Sequence, residues 1–188
     1  MWLDRVQKAD AGRLHITWKS FSLEQTNSAN GPDWKVWDQP DAYDSRSLLS
    51  LRAGEAAKLQ GPEAFQRFHL ALLIARHGGG RVSLRDPEPL IAVARDVGLD
   101  VQRFESDLAD RGLLCMIARD HTEAVEKHGI FGTPTFVFEN GGSAYLKTFI
   151  PPAQDSVEFF DHFVALVADR SYVGEIKRPQ PPWPKGAV

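Results

Sequence analysis

Gly132-Thr133-Pro134-Thr135-Phe136-Val137-Phe138 places a Thr-Pro bond directly ahead of a short apolar, β-prone run. The residue before a proline is pushed out of the helical region, so this stretch reads as a loop entering a strand. Asn140-Gly141-Gly142-Ser143 follows as a hairpin turn signal, which predicts strands over 135–139 and 145–149. Val157, Phe160, Phe163, Val164 and Val167 then recur at helical spacing and predict a final helix.

Upstream, the apolar period is helical over a long block. A helix is expected over 45–60, stopped by Gly61, and Pro62 can open the next one at its first turn. Phe65, Phe68, Leu72 and Ala75 form that second helix's stripe, and Gly78-Gly79-Gly80 ends it. Asp86-Pro87 reads as an N-cap and a first-turn proline, with Leu90, Ile91, Ala94 and Val97 behind them and Gly98 as the stop. Asp100 reads as a simple cap for a helix carrying Phe104 and Leu108, and a further amphipathic helix runs from 113 to 128 before Gly129.

The N-terminal part is mixed. Leu3, Val6 and Ala9 mark a short helix that Gly12 stops, and Leu14, Ile16 and Trp18 alternate with polar residues as a strand does. Residues 20–44, rich in Asn, Asp, Gly, Pro and Trp, read as a long irregular loop. At the other end, residues 177–184 are proline-rich and expected to be extended.

With this order of elements, the chain resembles the DsbA-like branch of the thioredoxin superfamily, in particular its FrnE-type oxidoreductases. Three features carry the resemblance. Gly132-Thr133-Pro134-Thr135-Phe136-Val137 is similar to that branch's cis-proline loop and the strand after it. Trp18-Lys19-Ser20-Phe21-Ser22-Leu23 is similar to its Trp-Arg-Pro-Phe-X-Leu segment, with Ser20 in place of the proline. The helical block ending in His128-Gly129-Ile130-Phe131 looks like its insertion. The fold class implied is α/β: a thioredoxin-like fold with a helical insertion domain and the first β-strand absent. The implied domains are an incomplete thioredoxin-like domain over 1–44 and 129–170, a helical insertion over 45–128, and a tail over 171–188.

The resemblance implies thiol–disulfide oxidoreductase descent, with Thr133 and Pro134 binding a substrate peptide. It also implies that the first strand and its Cys-X-X-Cys motif would precede Met1, as in a truncated chain. Without that central strand its neighbours lose backbone partners, at about 1–3 kcal/mol per buried unsatisfied group. The alternatives are a redox-dead peptide-binding module and a relative of the kappa-type glutathione-dependent transferases and isomerases.

No catalytic residue is assigned in this chain. Cys115 is the one cysteine of the 188 residues and excludes an intrachain disulfide, which suits a reducing, cytoplasmic compartment. Its apolar neighbours Leu113, Leu114, Met116 and Ile117 point to a buried structural thiol. His121 and His128 fall seven apart on one helix, but no spacing of His and Cys builds a metal shell, so no metal and no cofactor are expected. Trp34 and Trp37 read as anchors of the long loop. A formal net charge of −3 gives no reason to expect nucleic acid, and no apolar run approaches a membrane span. A peptide or protein substrate is the expected partner, with self-association left open.

Overall fold

The computed structural model describes residues 1–10, 12 and 14–176. In chain order its helices and strands are α1 (Trp2–Ala9), α2 (Leu23–Thr26), α3 (Leu48–Leu59), α4 (Pro62–His77), α5 (Pro87–Asp96), α6 (Val101–Ala109), α7 (Leu114–His128), β1 (Thr135–Val137), β2 (Ser143–Tyr145) and α8 (Ser156–Val167). The architecture is α/β and rich in helix, and β1 and β2 form the only sheet among the described residues. Two compact units result: residues 1–17 with 132–188, and residues 18–131.

The first unit is organised around an aromatic cluster. Trp2 and Val6 of α1 pack with Phe160 and Phe163 of α8, and Phe136, Phe138, Ala144 and Leu146 of the hairpin close over them. The indole of Trp2 meets the rings of Phe159, Phe160 and Phe163 at centroid distances of 4.8, 6.1 and 6.2 Å. Its buried N–H donates to the Ser156 carbonyl at 2.8 Å, which satisfies the one polar atom of the ring. The hairpin is antiparallel with Phe136 opposite Ala144, so alternate side chains of each strand face this cluster.

The hairpin is tighter than the sequence suggests. Asn140 Oδ1 accepts the Gly142 N–H at 3.1 Å, while Phe138 and Gly142 are joined by an N–H to carbonyl bond of 2.8 Å. The turn therefore closes early, and the second strand is Ser143–Tyr145 rather than 145–149. Gly142 is required there, because an added Cβ would lie 2.6 Å from the Val167 carbonyl oxygen.

Residues 14–18 do not form the strand that their alternation predicts. Leu14 and Ile16 are half-buried while His15 and Thr17 are exposed, but Trp18, the third residue of the expected inward set, is exposed, so the period of two fades before the segment ends. A strand also needs a hydrogen-bonded neighbour, and β1 and β2 pair only with each other among the described residues.

The second unit is a helical body. Its core joins Ala53, Ala56 and Ala57 of α3, Phe65 and Phe68 of α4, Leu90, Ile91 and Ala94 of α5, and Phe104 and Leu108 of α6. The caps explain several boundaries. Asp100 Oδ1 accepts the Arg103 N–H at 3.0 Å, and Gly129 ends α7 in the left-handed region at φ 63°. Asp86 stands before α5, yet its side chain takes no capping bond. Pro89 occupies the third helical position and has no N–H to offer.

Residues 20–44 are not wholly irregular. Ser22 Oγ accepts the Gln25 N–H at 3.1 Å and starts α2, and a 3-10 turn covers Val36–Asp38. Gln25 ties the two together: its Nε2 donates to the Trp34 carbonyl and its Oε1 accepts the Val36 N–H. Of the expected tail, residues 177–188 lie outside the described residues.

Candidate functional site

The Thr-Pro loop lies at the mouth of the hairpin. Leu146 N–H donates to the Pro134 carbonyl at 3.1 Å, extending the β1–β2 pairing beyond the strand end. There the pairing stops. The Thr133–Pro134 peptide bond is cis, and both residues are exposed. Thr135 Oγ1 donates to the Gly132 carbonyl at 2.7 Å and closes the loop from within. Gly132 is buried against the Tyr145 ring, so closely that an added Cβ would lie 3.2 Å from it. Thr133 makes no hydrogen bond to any other described residue. Its N–H and carbonyl, one residue before the last bonded position of the strand, are exposed and take no partner among the described residues.

A second polar arrangement lies within the helical unit and fixes the segment after Trp18. Ser20 is its centre. Its N–H donates to Asp120 Oδ2 at 3.1 Å and its Oγ donates to Glu55 Oε1 at 2.5 Å. Glu55 is fully buried and also accepts from Lys58 at 2.8 Å, while its Oε2 has no partner among the described residues. Asp120 Oδ1 is further held by Arg119 at 3.1 Å and Lys19 at 3.4 Å. Burial alone would lower the Lys19 pKa, but its hydrogen bond to Glu123 and the charge of Asp120 outweigh that and raise it. Glu123 is in turn held below the ordinary carboxylate range by its hydrogen bonds to Lys127 and Lys19.

The histidines divide by burial. His121 on α7 accepts the Ser22 N–H at Nδ1, 3.2 Å away, and lies 4.5 Å from the Phe21 ring and 5.3 Å from Trp37. Burial first, and the nearby Lys35 charge second, lower its pKa, so at neutral pH it is a neutral acceptor. His128, seven residues on, is exposed. His69 stacks on Phe65 at 5.3 Å and meets Trp18 at 4.5 Å, and burial lowers its pKa to about 4. Among the described residues, no group of three or more His, Cys, Asp or Glu side chains could hold a metal ion.

Cys115 is exposed, contrary to the expectation of a buried thiol. The buried positions of α7 are Leu114, Ile117, Asp120, His121 and Ala124. Cys115 falls on the opposite stripe with Arg119, Thr122 and Glu126, which are exposed. Its apolar neighbours in sequence face the other way.

Thr133 and Pro134 thus share one exposed loop. Glu55 and Asp120 escape a reading of the sequence because they lie 35 and 100 residues from the Ser20 atoms they bind. Trp34 packs on Tyr43 at 5.9 Å, and with Trp37 against His121 this pair holds the long loop in place.

The model of the DSBA-like thioredoxin domain family matches residues 1–165, and the chain belongs to that family. Among curated proteins none matches the chain. No helix among the described residues is long and apolar enough to cross a membrane.

Proposed function

From membership of the DSBA-like thioredoxin family, we propose that this chain is a FrnE-type relative of the cytoplasmic thiol–disulfide oxidoreductases that docks an extended peptide at Thr133 and Pro134. The observation that supports this reading is the open backbone of Thr133, one step beyond the last hairpin bond at Pro134. A peptide lying alongside would continue the pairing and gain main-chain hydrogen bonds without any requirement on its sequence.

The same reading assigns the chain no dithiol exchange of its own. Exchange of a protein disulfide proceeds through a mixed disulfide that a second thiol resolves, and one cysteine in 188 residues cannot supply both. The chain then acts as a peptide-binding module carrying the docking half of an oxidoreductase site. Purified protein should not accelerate insulin reduction by a thiol reductant above background. Turnover that disappears in Cys115→Ser would overturn the assignment. Docking is read separately, by the amide shift of Thr133 on titration with an unstructured peptide; an unmoved Thr133 would refute it.

A further inference from the structure

A cavity of about 310 Å³ lies within the helical unit, between the loop 39–45 and the side chains of Arg52, Arg85 and Arg111. The three guanidiniums are unequally satisfied. Arg111 reaches Asp41 Oδ1 at 2.5 Å and the Gln39 carbonyl at 2.9 Å. Arg85 holds both oxygens of Asp44 from one nitrogen, at 3.0 and 2.9 Å. Arg52 has only an ion pair with Asp41 at 3.6 Å, beyond hydrogen-bond reach, and its buried Nε finds no acceptor among the described residues.

Exposure sharpens the contrast. The Arg52 side chain is 13% exposed, whereas Asp41 is 67% and Asp44 78% exposed. Arg52 therefore belongs to the cavity wall, while the half-exposed Arg85 and Arg111 stand with the carboxylates nearer its solvent rim. Three guanidiniums face two carboxylates, an excess of one positive charge in a chain whose formal net charge is −3. A buried guanidinium without acceptors is costly unless something supplies them, and its planar fork matches the oxygens of a carboxylate or a phosphate.

We propose that this cavity binds the oxyanion group of a small organic molecule, with Arg52 as the inner donor and Arg85 and Arg111 as the outer clamp. Leu48, Leu49 and Tyr43 supply the apolar wall for the rest of the ligand. The volume lies at the small end of ligand pockets, which suits one ring and its head group rather than a dinucleotide or a peptide. Asp41 and Asp44, on the exposed rim, give up part of their pairing to the incoming anion. Binding of this kind weakens as salt rises.

Calorimetric titration of the full chain with phenyl phosphate, inorganic phosphate and benzoate at constant ionic strength tests the site. One saturable site is expected for at least one of the organic anions, tighter than for inorganic phosphate. Phenyl phosphate ahead of benzoate identifies a phosphate ester as the ligand class, and the reverse identifies a carboxylate. Arg52→Lys keeps the charge but loses the fork, and Arg85→Gln changes a half-exposed side chain. Each should weaken binding roughly tenfold, with the Arg85→Gln protein melting as the wild type does when no anion is present. No saturation by any of the three below about 10 mM, or saturation that neither substitution changes, would overturn the proposal.

Discussion

Ser20 donates its hydroxyl to Glu55 at 2.5 Å while its own N–H is held by Asp120 at 3.1 Å. One residue thus ties the segment after Trp18 to both α3 and α7. Serine closes the segment by two hydrogen bonds to buried carboxylates, neither of which a proline, lacking both the N–H and the hydroxyl, could make.

Ser20→Ala removes the hydroxyl and leaves Glu55 with Lys58 alone. A loss of about 1–2 kcal/mol is expected by urea unfolding. Ser20→Pro also deletes the N–H that Asp120 accepts, and should lose about 2–4 kcal/mol. Equal stability of the two variants would show that the Asp120 bond contributes nothing.

The stability of the helical unit should depend on pH through His69. Its pKa in the folded protein is about 4, below the ordinary 6.5, because burial disfavours the imidazolium. Above pH 6.5 both states are neutral and the residue is indifferent to pH. Between pH 6.5 and about 4 the unfolded chain takes up a proton that the folded one refuses, so stability falls as pH falls. His69→Phe keeps a ring between Phe65 and Trp18 and should flatten this limb. Urea midpoints at pH 7 and pH 5 for the two proteins provide the measurement.

Trp2→Phe keeps a ring in the aromatic cluster but loses the buried indole bond to the Ser156 carbonyl, which keeps its partner within α8. A decrease of about 0.5–1.5 kcal/mol is expected. Phe163→Ala opens a cavity where the Trp2 and Phe136 rings meet and should lose about 3–5 kcal/mol. Proteolysis should then begin within residues 1–10 or 132–176 and leave 18–131 intact. First cleavage inside α3 to α7 would contradict a separate core for each unit.

Gly132→Ala drives a methyl to within 3.2 Å of the Tyr145 ring. Either the ring or the loop must give way, and Thr133 moves with the loop. Peptide titration followed at the Thr133 amide should show weaker binding with little change in global stability. Unchanged affinity would separate docking from the geometry of this loop.

Much of the helical unit could be read from its amino acids, because a period of 3.6 and local caps need no distant partner. The stop at Gly129, the cap at Asp100 and the opening at Pro62 are local chemistry, and they hold. The failures have a common cause. Leu14 to Trp18 alternates as a strand does, but strand formation depends on a neighbour that the local sequence cannot reveal. Asp86 looks like a cap until Pro89 is counted. The neighbours of Cys115 in sequence point it inward, whereas the helix sorts residues by angle and leaves it exposed. The loop at Thr133 and Pro134 could be found because its signal is contiguous. The arginine cavity could not, since its three cations come from α3, the approach to α5 and the turn before α7.

The Trp2 indole and the Ser156 carbonyl that it holds are separated by 154 residues. A ribosome adding about 5–20 residues per second completes α1 roughly 8–30 s before it makes the first residue of α8. Throughout that interval the helical unit, a single uninterrupted stretch, can fold and finish. The apolar stripe of Trp2, Leu3 and Val6 meanwhile waits in the open. Order along the chain and order of packing thus part company: α1 is made before the helical unit, yet the α8 side chains that cover its apolar stripe come only after it.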